Sequence, residues 1–460
     1  MGRARGLDIK PEQLATREGR SKFVVCVVGL GRMGLPTACL WARAGFRVLG
    51  VDTNPAVVEA VNSGKAPFEE PGLEGLLTQM VREGRLRALG DVREASSLAD
   101  IIKILVPTPV EEGRPDYSSI RKACREVGFG LRPGALVVVE STVGPGTTEG
   151  PLREALEEAS GLVAGRDFGL AYSPVRASSG SVLKDLVEYP RVLGALDKRS
   201  LEAAKAFFST VVKGGIVEVP DIKTAEVVKL AENIYRDVVL ALSNELAVFC
   251  EKAGVDYHKV VEAANTQPYC RLLRPGLVGG HLPKDPYLLI YRAEELKADV
   301  RLVRTARRVN EAMVKHVVKL VREALRECGK SLRRARIAIL GVSYKPDVKN
   351  PSGTRTADLV RALGKRCKSL VVYDPFFTKQ ELEELGYPAS QGLTDALKGA
   401  DCLILAVGHG RFRDLDLRAV RELMSERPAI VDVQGILEPS RARELGFSYR
   451  GLGRGPMGQD

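Results

Sequence analysis

The sequence predicts an α/β protein in which two parallel-sheet domains flank a helical region. Short apolar runs rich in Val, Ile and Leu recur in both halves of the chain, with helix-length segments between them. Strands that alternate with helices in this way are typical of parallel sheets with crossover helices. From about 220 to 330 the pattern is instead one of successive helices. At roughly 100–200 residues per domain, the 460 residues suffice for several domains.

The predicted strands are four apolar runs in each half of the chain. They are Phe23–Val28, Arg47–Val51, Ile101–Val106 and Leu136–Glu140, then Arg336–Leu340, Ser369–Tyr373, Cys402–Val407 and Ala429–Val433. In the helical middle, Asp221 is the expected N-cap of a long helix and Gly254 its expected stop. We predict a basic polar leader over 1–21, a first α/β domain over 22–219, a helical domain over 220–330, a second α/β domain over 331–448 and a flexible Gly-rich tail over 449–460.

Composition narrows the class of protein. Apolar residues make up 45% and charged residues 28% of the chain, which are globular values. No apolar stretch reaches the ~18 residues of a membrane-spanning helix, and no apolar signal segment follows Met1, so we predict a cytoplasmic protein with no membrane partner. The eight cysteines form no CxxC pair and the chain has four histidines, which favours neither a disulfide framework nor a metal site.

The positive charge suggests an anionic partner. The net charge of +11 is compatible with nucleic acid or with a polyanionic small substrate. The basic residues are spread along the chain and form no run of five or more. This spread favours a small-molecule substrate over nucleic acid.

A glycine-rich turn, Gly29-Leu30-Gly31-Arg32-Met33-Gly34, follows the first predicted strand and opens a helix. Glycines at this spacing permit a tight turn, close approach of the backbone to a pyrophosphate and close helix–strand packing. Asp52 ends the next strand, 18 residues after Gly34. A carboxylate there accepts hydrogen bonds from ribose hydroxyls and repels a 2′-phosphate, which favours NAD over NADP. The alternative is a packing turn with no ligand; strand, spacing and acid together favour dinucleotide binding.

Two loops at the carboxyl ends of predicted strands are further candidates for ligand binding. They are Val106-Pro107-Thr108-Pro109 and the segment that runs from Glu140 through Ser141 and Thr142 to Thr148. Their hydroxyls and backbone amides suit ribose, nicotinamide or a substrate hydroxyl. Ordinary Pro/Gly loops are the alternative.

Four polar residues share one face of the helix that follows Asp221: Glu226, Lys229, Asn233 and Arg236. The stripe is either the solvated side of an amphipathic helix or part of a site. In a site, a Lys and an Asn one turn apart can polarise an alkoxide and hold a water, and burial would lower the pKa of the lysine toward the range of proton transfer.

A turn with close backbone approach follows farther along, where Gly279-Gly280-His281 runs into Lys284-Asp285-Pro286. His281 is either a base or substrate ligand, or only a turn residue.

Together these motifs resemble the UDP-glucose/GDP-mannose dehydrogenase family from Phe23 to about Arg413. The matching motifs occur in the family's order: GLGxxGLP, Glu70-Pro71-Gly72-Leu73, VPTP, ESTVxPGTT, AExxKLxENxxR, GGH…KDP and Tyr344-Lys345-Pro346-Asp347-Val348. The resemblance implies an N-terminal Rossmann-like NAD-binding domain, a central helical dimerisation region and a C-terminal Rossmann-like domain that binds a nucleotide sugar. It also implies NAD as cofactor, a UDP-sugar as substrate and a homodimer.

The resemblance implies an activity as well. Members of the family oxidise the C6 alcohol of a nucleotide sugar to an acid with two NAD, through a cysteine thiohemiacetal and thioester. The Gly-Gly-His turn is most similar to the UDP-N-acetylhexosamine branch, with UDP-N-acetylmannosamine as the favoured substrate. We therefore expect an NAD-dependent oxidoreductase.

Carried over position by position, the resemblance implies a role for each site residue. Lys229 and Asn233 would assist proton transfer and stabilise the oxyanion, Thr142 would touch NAD or the reacting carbon, and Asp285 would help to activate water. The cofactor-binding residues would be Gly29, Gly31, Met33, Gly34, Asp52, Thr108, Thr142 and Arg355. The substrate-binding residues would be Arg176, Lys229, Asn233, Arg236, His281, Tyr344 and Lys345.

The chain departs from the family pattern at three places, and two of these departures concern the second oxidation. His281 runs into Leu282 about two residues short and with no cysteine, and Val175 stands where the family's Ser-Pro-Glu-Arg has its carboxylate. Gln267-Pro268-Tyr269 replaces His-Pro-Arg, and Cys270 is no positional match for the thiol. Two hypotheses follow: an active dehydrogenase with partial chemistry, or an impaired homologue that binds NAD and UDP-sugar in a regulatory or structural role.

Overall fold

The structure, a computed structural model, describes residue 7 and residues 9–455. The other residues of the predicted leader and tail lie outside the described residues. The chain forms two compact units. The first comprises the residues up to Glu232 together with Tyr287–Ala298, and the second comprises Asn233–Pro286 and the residues from Asp299 onward.

Strands and helices are numbered along the chain. The strands are β1 (Val24–Val28), β2 (Arg47–Val51), β3 (Leu86–Leu89), β4 (Ile101–Ile104), β5 (Val110–Glu111), β6 (Arg114–Pro115), β7 (Leu136–Val139), β8 (Gly169–Tyr172), β9 (Arg191–Ala195), β10 (Ile216–Glu218), β11 (Arg336–Leu340), β12 (Ser369–Tyr373), β13 (Cys402–Leu405), β14 (Ala429–Asp432) and β15 (Ser448–Gly451). The helices are α1 (Pro11–Leu14), α2 (Arg17–Ser21), α3 (Gly34–Ala44), α4 (Pro55–Asn62), α5 (Leu73–Arg82), α6 (Val92–Leu98), α7 (Ser118–Gly130), α8 (Arg153–Ser160), α9 (Val182–Glu188), α10 (Lys198–Ser209), α11 (Ile222–Ala253), α12 (Tyr257–Ala264), α13 (Asp285–Glu295), α14 (Arg301–Glu327), α15 (Thr356–Gly364), α16 (Lys379–Glu384), α17 (Leu393–Leu397), α18 (Gly410–Arg413), α19 (Leu417–Leu423) and α20 (Pro439–Glu444).

The first unit is built on an eight-stranded sheet with the order β10-β9-β8-β7-β4-β1-β2-β3. Its strands pair in parallel except for β8 and β9, which are antiparallel. From β3 to β8 this is the order of a doubly wound dinucleotide-binding sheet. Side chains of β1 alternate between two cores, with Val25 and Val27 on one face and Cys26 and Val28 on the other. Both faces are therefore covered, as a parallel sheet requires.

The second unit contains a five-stranded, fully parallel sheet with the order β12-β11-β13-β14-β15. Side chains of β11 again alternate between two cores, with Ile337 and Ile339 on one face and Ala338 and Leu340 on the other. The long helix α14 packs Val317 and Val321 into the first of these cores. The predicted α/β class is confirmed: a mostly parallel sheet and a fully parallel sheet flank a helical region in sequence.

Most local predictions agree with the structure. All eight predicted strands are present, and the Asp221 carboxylate caps the long helix by accepting a hydrogen bond from the Thr224 backbone amide at 2.7 Å. That helix ends at Ala253, and Gly254 has a left-handed φ of +73°. In the described part of the chain, no helix is both long and apolar enough to cross a membrane.

The prediction of a flexible tail from residue 449 is wrong for the residues that the structure describes there. Ser448–Gly451 pairs in parallel with β14, and Tyr449 and Leu452 are buried. The glycines suggested a loose segment, but the apolar residues between them close the edge of the core. Within the predicted leader, Pro11–Leu14 and Arg17–Ser21 are short helices and Leu14 is buried. The predicted domain boundaries stay predictions.

Candidate functional site

The glycine-rich turn of the first unit has three distinct backbone requirements. Gly29 has a φ of +96° and donates its backbone N–H to the Val51 carbonyl at 2.8 Å. Gly31 faces open space, with no atom near the position of a Cβ. Gly34 starts α3, and a Cβ there would overlap the Gly29 carbonyl oxygen. A tight turn, an open backbone and close helix packing are what a dinucleotide pyrophosphate needs at a helix N-terminus.

Asp52 closes the other side of this turn. It follows β2, is half-buried, and its carboxylate accepts hydrogen bonds from the backbone amides of Leu30 at 3.0 Å and Asn54 at 2.9 Å. A carboxylate held beside the glycine turn can accept ribose hydroxyls and repel a 2′-phosphate. The residues present therefore fit NAD.

The two candidate loops of the first unit are tied to each other. The Thr108 hydroxyl donates to the Thr142 carbonyl at 2.6 Å, and the Ser141 hydroxyl donates to the Val106 carbonyl at 2.8 Å. Thr108 is buried and Thr142 is half-buried. These loops are therefore ordered parts of the unit at the carboxyl ends of β4 and β7, where open α/β sheets bind ligands.

Glu226 is a loop anchor and not part of a solvated stripe. It is fully buried, and its carboxylate accepts hydrogen bonds from the backbone amides of Gly146 at 2.5 Å and Thr148 at 2.9 Å. Burial raises the pKa of Glu226 to about 7, and the hydrogen bonds from Thr148 and Gly146 oppose that rise. The signal in the sequence was its place in the polar stripe of an otherwise apolar helix.

Lys229 lies one turn farther along α11. Its ammonium donates to the Val175 carbonyl at 2.8 Å. Arg176, the next residue of that loop, donates to the Pro190 carbonyl at 2.9 Å and pairs with Glu232 at 2.8 Å. The loop that carries Val175 and Arg176 is therefore connected to α11 inside the first unit.

In the second unit, Asn233 and Asp285 form a buried pair. The Asn233 side-chain amide donates to the Asp285 carboxylate at 2.6 Å, and Asp285 is 1% exposed. The Lys284 ammonium contacts the other carboxylate oxygen at 2.8 Å. A dry carboxylate that is oriented by an amide and an ammonium is suited to hold a proton or a water. Arg236, one turn after Asn233, is exposed.

The Gly-Gly-His turn packs against the loop that carries Tyr344. Gly280 donates its backbone N–H to the Gly353 carbonyl at 2.9 Å, and a Cβ at Gly280 would lie 2.8 Å from the Tyr344 ring. His281, which precedes the buried Leu282, is exposed. The second unit therefore brings the turn together with Tyr344 and with the segment Lys345–Arg355, in which Arg355 pairs with Asp358 at 2.7 Å.

The residue after His281 offers no nucleophile. Leu282 is buried, and the Arg307 guanidinium, 2% exposed, donates to its carbonyl at 3.2 Å. Cys270 interacts electrostatically with Tyr257, which packs against Ala247 and Cys250.

A buried ion-pair cluster in the first unit was missed by sequence reasoning. Lys103, in the middle of β4, contacts the Glu140 carboxylate at 2.9 Å, and Arg191 contacts the other Glu140 oxygen at 2.5 Å. All three side chains are almost completely buried. The signal for Lys103 was a single charge inside an otherwise apolar run.

Three family profiles match the chain in order. The NAD binding domain of the UDP-glucose/GDP-mannose dehydrogenase family matches residues 23–212, the central domain matches 223–312 and the UDP binding domain matches 338–439. A UDP-N-acetyl-D-mannosamine dehydrogenase of Pyrococcus horikoshii is 36% identical over 438 residues, which cover 94% of this chain and 100% of that protein. An NDP-N-acetyl-D-galactosaminuronic acid dehydrogenase of Ralstonia solanacearum is 33% identical, covering 91% of this chain and 97% of that protein.

Solved structures agree with these relatives. The structure of UDP-D-ManNAc dehydrogenase from Pyrococcus horikoshii has a TM-score of 0.87 at 34% identity and covers 94% of this chain and 99% of that one. A UDP-glucose dehydrogenase from the hyperthermophilic archaeon Pyrobaculum islandicum has a TM-score of 0.83 at 30% identity and covers 94% of this chain and 98% of that one.

Proposed function

The chain belongs to the UDP-glucose/GDP-mannose dehydrogenase family, and we propose that it oxidises the C6 alcohol of a UDP-N-acetylhexosamine, with UDP-N-acetylmannosamine favoured. Its cofactor is NAD, and it is a nucleotide-sugar dehydrogenase. The preference for an N-acetylated sugar is supported by relatives that are named for N-acetylmannosamine and N-acetylgalactosaminuronic acid.

The observation that carries the proposed chemistry is the buried Asn233–Asp285 pair, one helical turn beyond Lys229 on α11. Residues four apart on a helix share a face, so the Lys229 ammonium and the Asn233 amide project from the same side of α11. Oxidation of an alcohol removes a proton from oxygen and a hydride from carbon, and NAD supplies the hydride acceptor when it is bound. Lys229 and Asn233 would take up or direct the hydroxyl proton and stabilise the alkoxide, while Asp285 would hold a water.

Each of the two units contributes residues for binding the cofactor or the substrate. In the first unit, the glycine turn, Met33, Asp52, Thr108 and Thr142 would bind NAD or the reacting carbon, and Arg176 would reach the substrate. In the second unit, Arg236, His281, Tyr344 and Lys345 would hold the nucleotide sugar and Arg355 would contact cofactor or substrate.

A second candidate function is supported by the buried Leu282. With Leu282 after His281 and Val175 in place of a carboxylate, the chain lacks both groups that the family resemblance requires for the second oxidation. The chain would then be an impaired homologue that binds NAD and UDP-sugar in a regulatory or structural role.

A homodimer is supported by an apolar stripe on α11. Val227, Tyr235, Leu242 and Phe249 are 40%, 61%, 49% and 65% exposed. Their spacing of seven or eight residues puts them on one side of the helix, in the pattern of a helix that pairs with another helix. We propose that the stripe packs against the same stripe of a second copy.

The experiment that tests the function is NAD reduction with a panel of UDP- and GDP-sugars, with the product identified by mass. Lys229→Met should lower kcat by about a hundredfold or more, since general acid–base groups contribute on that order. Lys252→Met is a matched control, because Lys252 lies exposed near the end of the same helix. NAD and UDP-sugar binding without reduction of NAD by any sugar would instead support the impaired homologue.

A further inference from the structure

The buried cluster of the first unit lies between the loop that carries Thr142 and the loop that carries Val175. We propose that Arg191 is a positioning residue: it holds the loop Ser173–Arg176 so that the Val175 carbonyl fixes the Lys229 ammonium. The inference rests on the proposed role of Lys229. Nothing in the family resemblance assigns a part to Arg191.

Arg191 holds the first residue of this loop at two points. Its Nε donates to the Ser173 hydroxyl oxygen at 2.8 Å and one terminal nitrogen donates to the Ser173 carbonyl at 3.2 Å. The Ser173 hydroxyl in turn donates to the Val192 carbonyl at 2.7 Å, and the Ser173 backbone N–H donates to the Val139 carbonyl at 3.0 Å. Ser173 is 0% exposed, so both its backbone and its side chain are held by protein groups.

The orientation of Ser173 is transmitted to Lys229 through two residues. Pro174 has a ring-restricted φ, which limits the freedom between Ser173 and Val175. Val175 is 9% exposed and its carbonyl accepts the Lys229 ammonium at 2.8 Å. A displacement of Ser173 would therefore move the acceptor of the proposed catalytic lysine.

Glu140 fixes Arg191 from the other side. Its carboxylate contacts Arg191 through one oxygen and Lys103 through the other, at 2.5 and 2.9 Å. Glu140 directly follows β7 and precedes Ser141 and Thr142, so the same carboxylate is anchored to the second candidate loop. The Arg191 guanidinium also lies over the Phe208 ring, with its carbon 4.8 Å from the ring centroid.

A purely stabilising role is a poor account of this cluster. Two basic side chains share one carboxylate in a dry environment, and desolvation of buried ions offsets much of their attraction. Well-packed apolar residues stabilise such a position as well or better. An apolar side chain at position 191 could not donate the hydrogen bonds that Arg191 donates to Ser173.

The cluster offers a matched pair of variants. Arg191→Met and Lys103→Met each remove one of the two buried basic side chains and leave the other beside Glu140. Arg191→Met alone removes the hydrogen bonds to Ser173. Ser173→Ala, which removes the hydroxyl acceptor and keeps the buried charges, is a milder third variant in case Arg191→Met does not fold.

Steady-state kinetics of the full chain with NAD and the UDP-sugar that it oxidises fastest should separate these variants. Arg191→Met should lower kcat about tenfold or more while KM for NAD changes less than about twofold, since misplacement of a positioned group acts on the chemical step. The factor by which kcat falls should be at least fivefold smaller in Lys103→Met than in Arg191→Met. The decrease in Ser173→Ala should lie between these two. Equal losses in Arg191→Met and Lys103→Met, or an unchanged kcat in Arg191→Met, would overturn the proposal.

Amide hydrogen exchange of the peptide that contains Ser173–Arg176 gives a readout that does not need turnover. Exchange should be about tenfold faster or more in Arg191→Met than in Lys103→Met if Arg191 holds the loop. If the unmodified protein reduces no NAD with any sugar, the proposed function fails by that result. Unchanged protection in Arg191→Met would then overturn the positioning role separately.

Discussion

Replacing Lys103 by Met should remove a proton-linked cost from the folded protein. The Lys103 side chain is 0% exposed, and burial lowers its pKa to about 7, although Glu140 favours the charged form. Arg191 acts in the same direction as burial. In the unfolded chain a lysine titrates near 10.4.

The sign follows from which state binds the proton. Between pH 7 and 10 the unfolded chain keeps the Lys103 proton and the folded chain has lost it, so the free energy of unfolding rises with pH. Below pH 7 both states carry the proton and the full cost of burying the charge remains. With folded and unfolded pKa values of about 7 and 10.4, the gain from pH 7 to pH 9 is about 2 kcal/mol.

Trp41 gives the assay, because it is the only tryptophan of the sequence and the Lys103 nitrogen lies 3.4 Å from its ring centroid. Denaturant unfolding followed by Trp41 emission reports the first unit, which avoids treating a multidomain chain as a single transition. Between pH 7 and pH 9, the free energy of unfolding should rise by about 2 kcal/mol more in the unmodified protein than in Lys103→Met. Emission of the folded protein should also titrate near pH 7, and this titration should be absent in Lys103→Met.

Lys330→Met is the matched control, because Lys330 forms a partly buried ion pair with Asp401 at 2.8 Å in the second unit. It should leave the Trp41 titration unchanged. The reasoning is refuted if Lys103→Met gains as much stability from pH 7 to pH 9 as the unmodified protein does.

Four further predictions concern the cofactor, the product, the dimer and the charge. Asp52→Ala should weaken NAD binding and relax discrimination against NADP, and equal affinity of the unmodified protein for both cofactors would contradict the role of the carboxylate. Turnover should release the aldehyde and give closer to one NADH than two per sugar. Formation of uronic acid with two NADH per sugar, at a turnover rate of about 1 per second or more, would show that another group supplies the nucleophile. Cys270→Ser then tests whether that group is Cys270. Leu242→Asp should convert a dimer into monomers in light scattering, whereas Leu98→Asp, at a 51% exposed leucine outside the stripe, should not. Salt-sensitive binding of duplex or single-stranded nucleic acid in the micromolar range, with no UDP-sugar binding, would contradict the assignment of the positive charge to a substrate diphosphate.

Cys270 is the cysteine to test if the protein forms uronic acid. From the sequence alone, Cys270 lies eleven residues before His281 and could not be placed in space. In the second unit it interacts electrostatically with Tyr257, which packs against Ala247 and Cys250. Cys270→Ser is therefore the variant that tests whether this thiol supplies the nucleophile.

Features that depend on local chain geometry can be predicted from the sequence. The glycine turn, the carboxylate of Asp52 and the cap at Asp221 each use residues close in sequence or at a fixed spacing, so their residue types are readable. The strands that were predicted are long apolar runs. Two of the strands that were missed carry polar residues: Leu86–Leu89 has the exposed Arg87, and Ser448–Gly451 lies at a sheet edge. Their pairing depends on neighbouring strands and not on their own composition.

The contacts between polar groups that are distant in sequence depend on the folded chain. Asn233 and Asp285 are 52 residues apart, and Glu226 reaches Gly146 across 80 residues. Lys103 lies inside β4, Glu140 directly follows β7 and Arg191 begins β9, and the sheet order brings these three positions together. A charge in an apolar run shows in the sequence as an anomaly, but its partner is set by which strands are neighbours in the sheet. That order is fixed by crossover connections and core packing over the whole unit, and this is the physical reason why the ion-pair cluster could not be read from the chain.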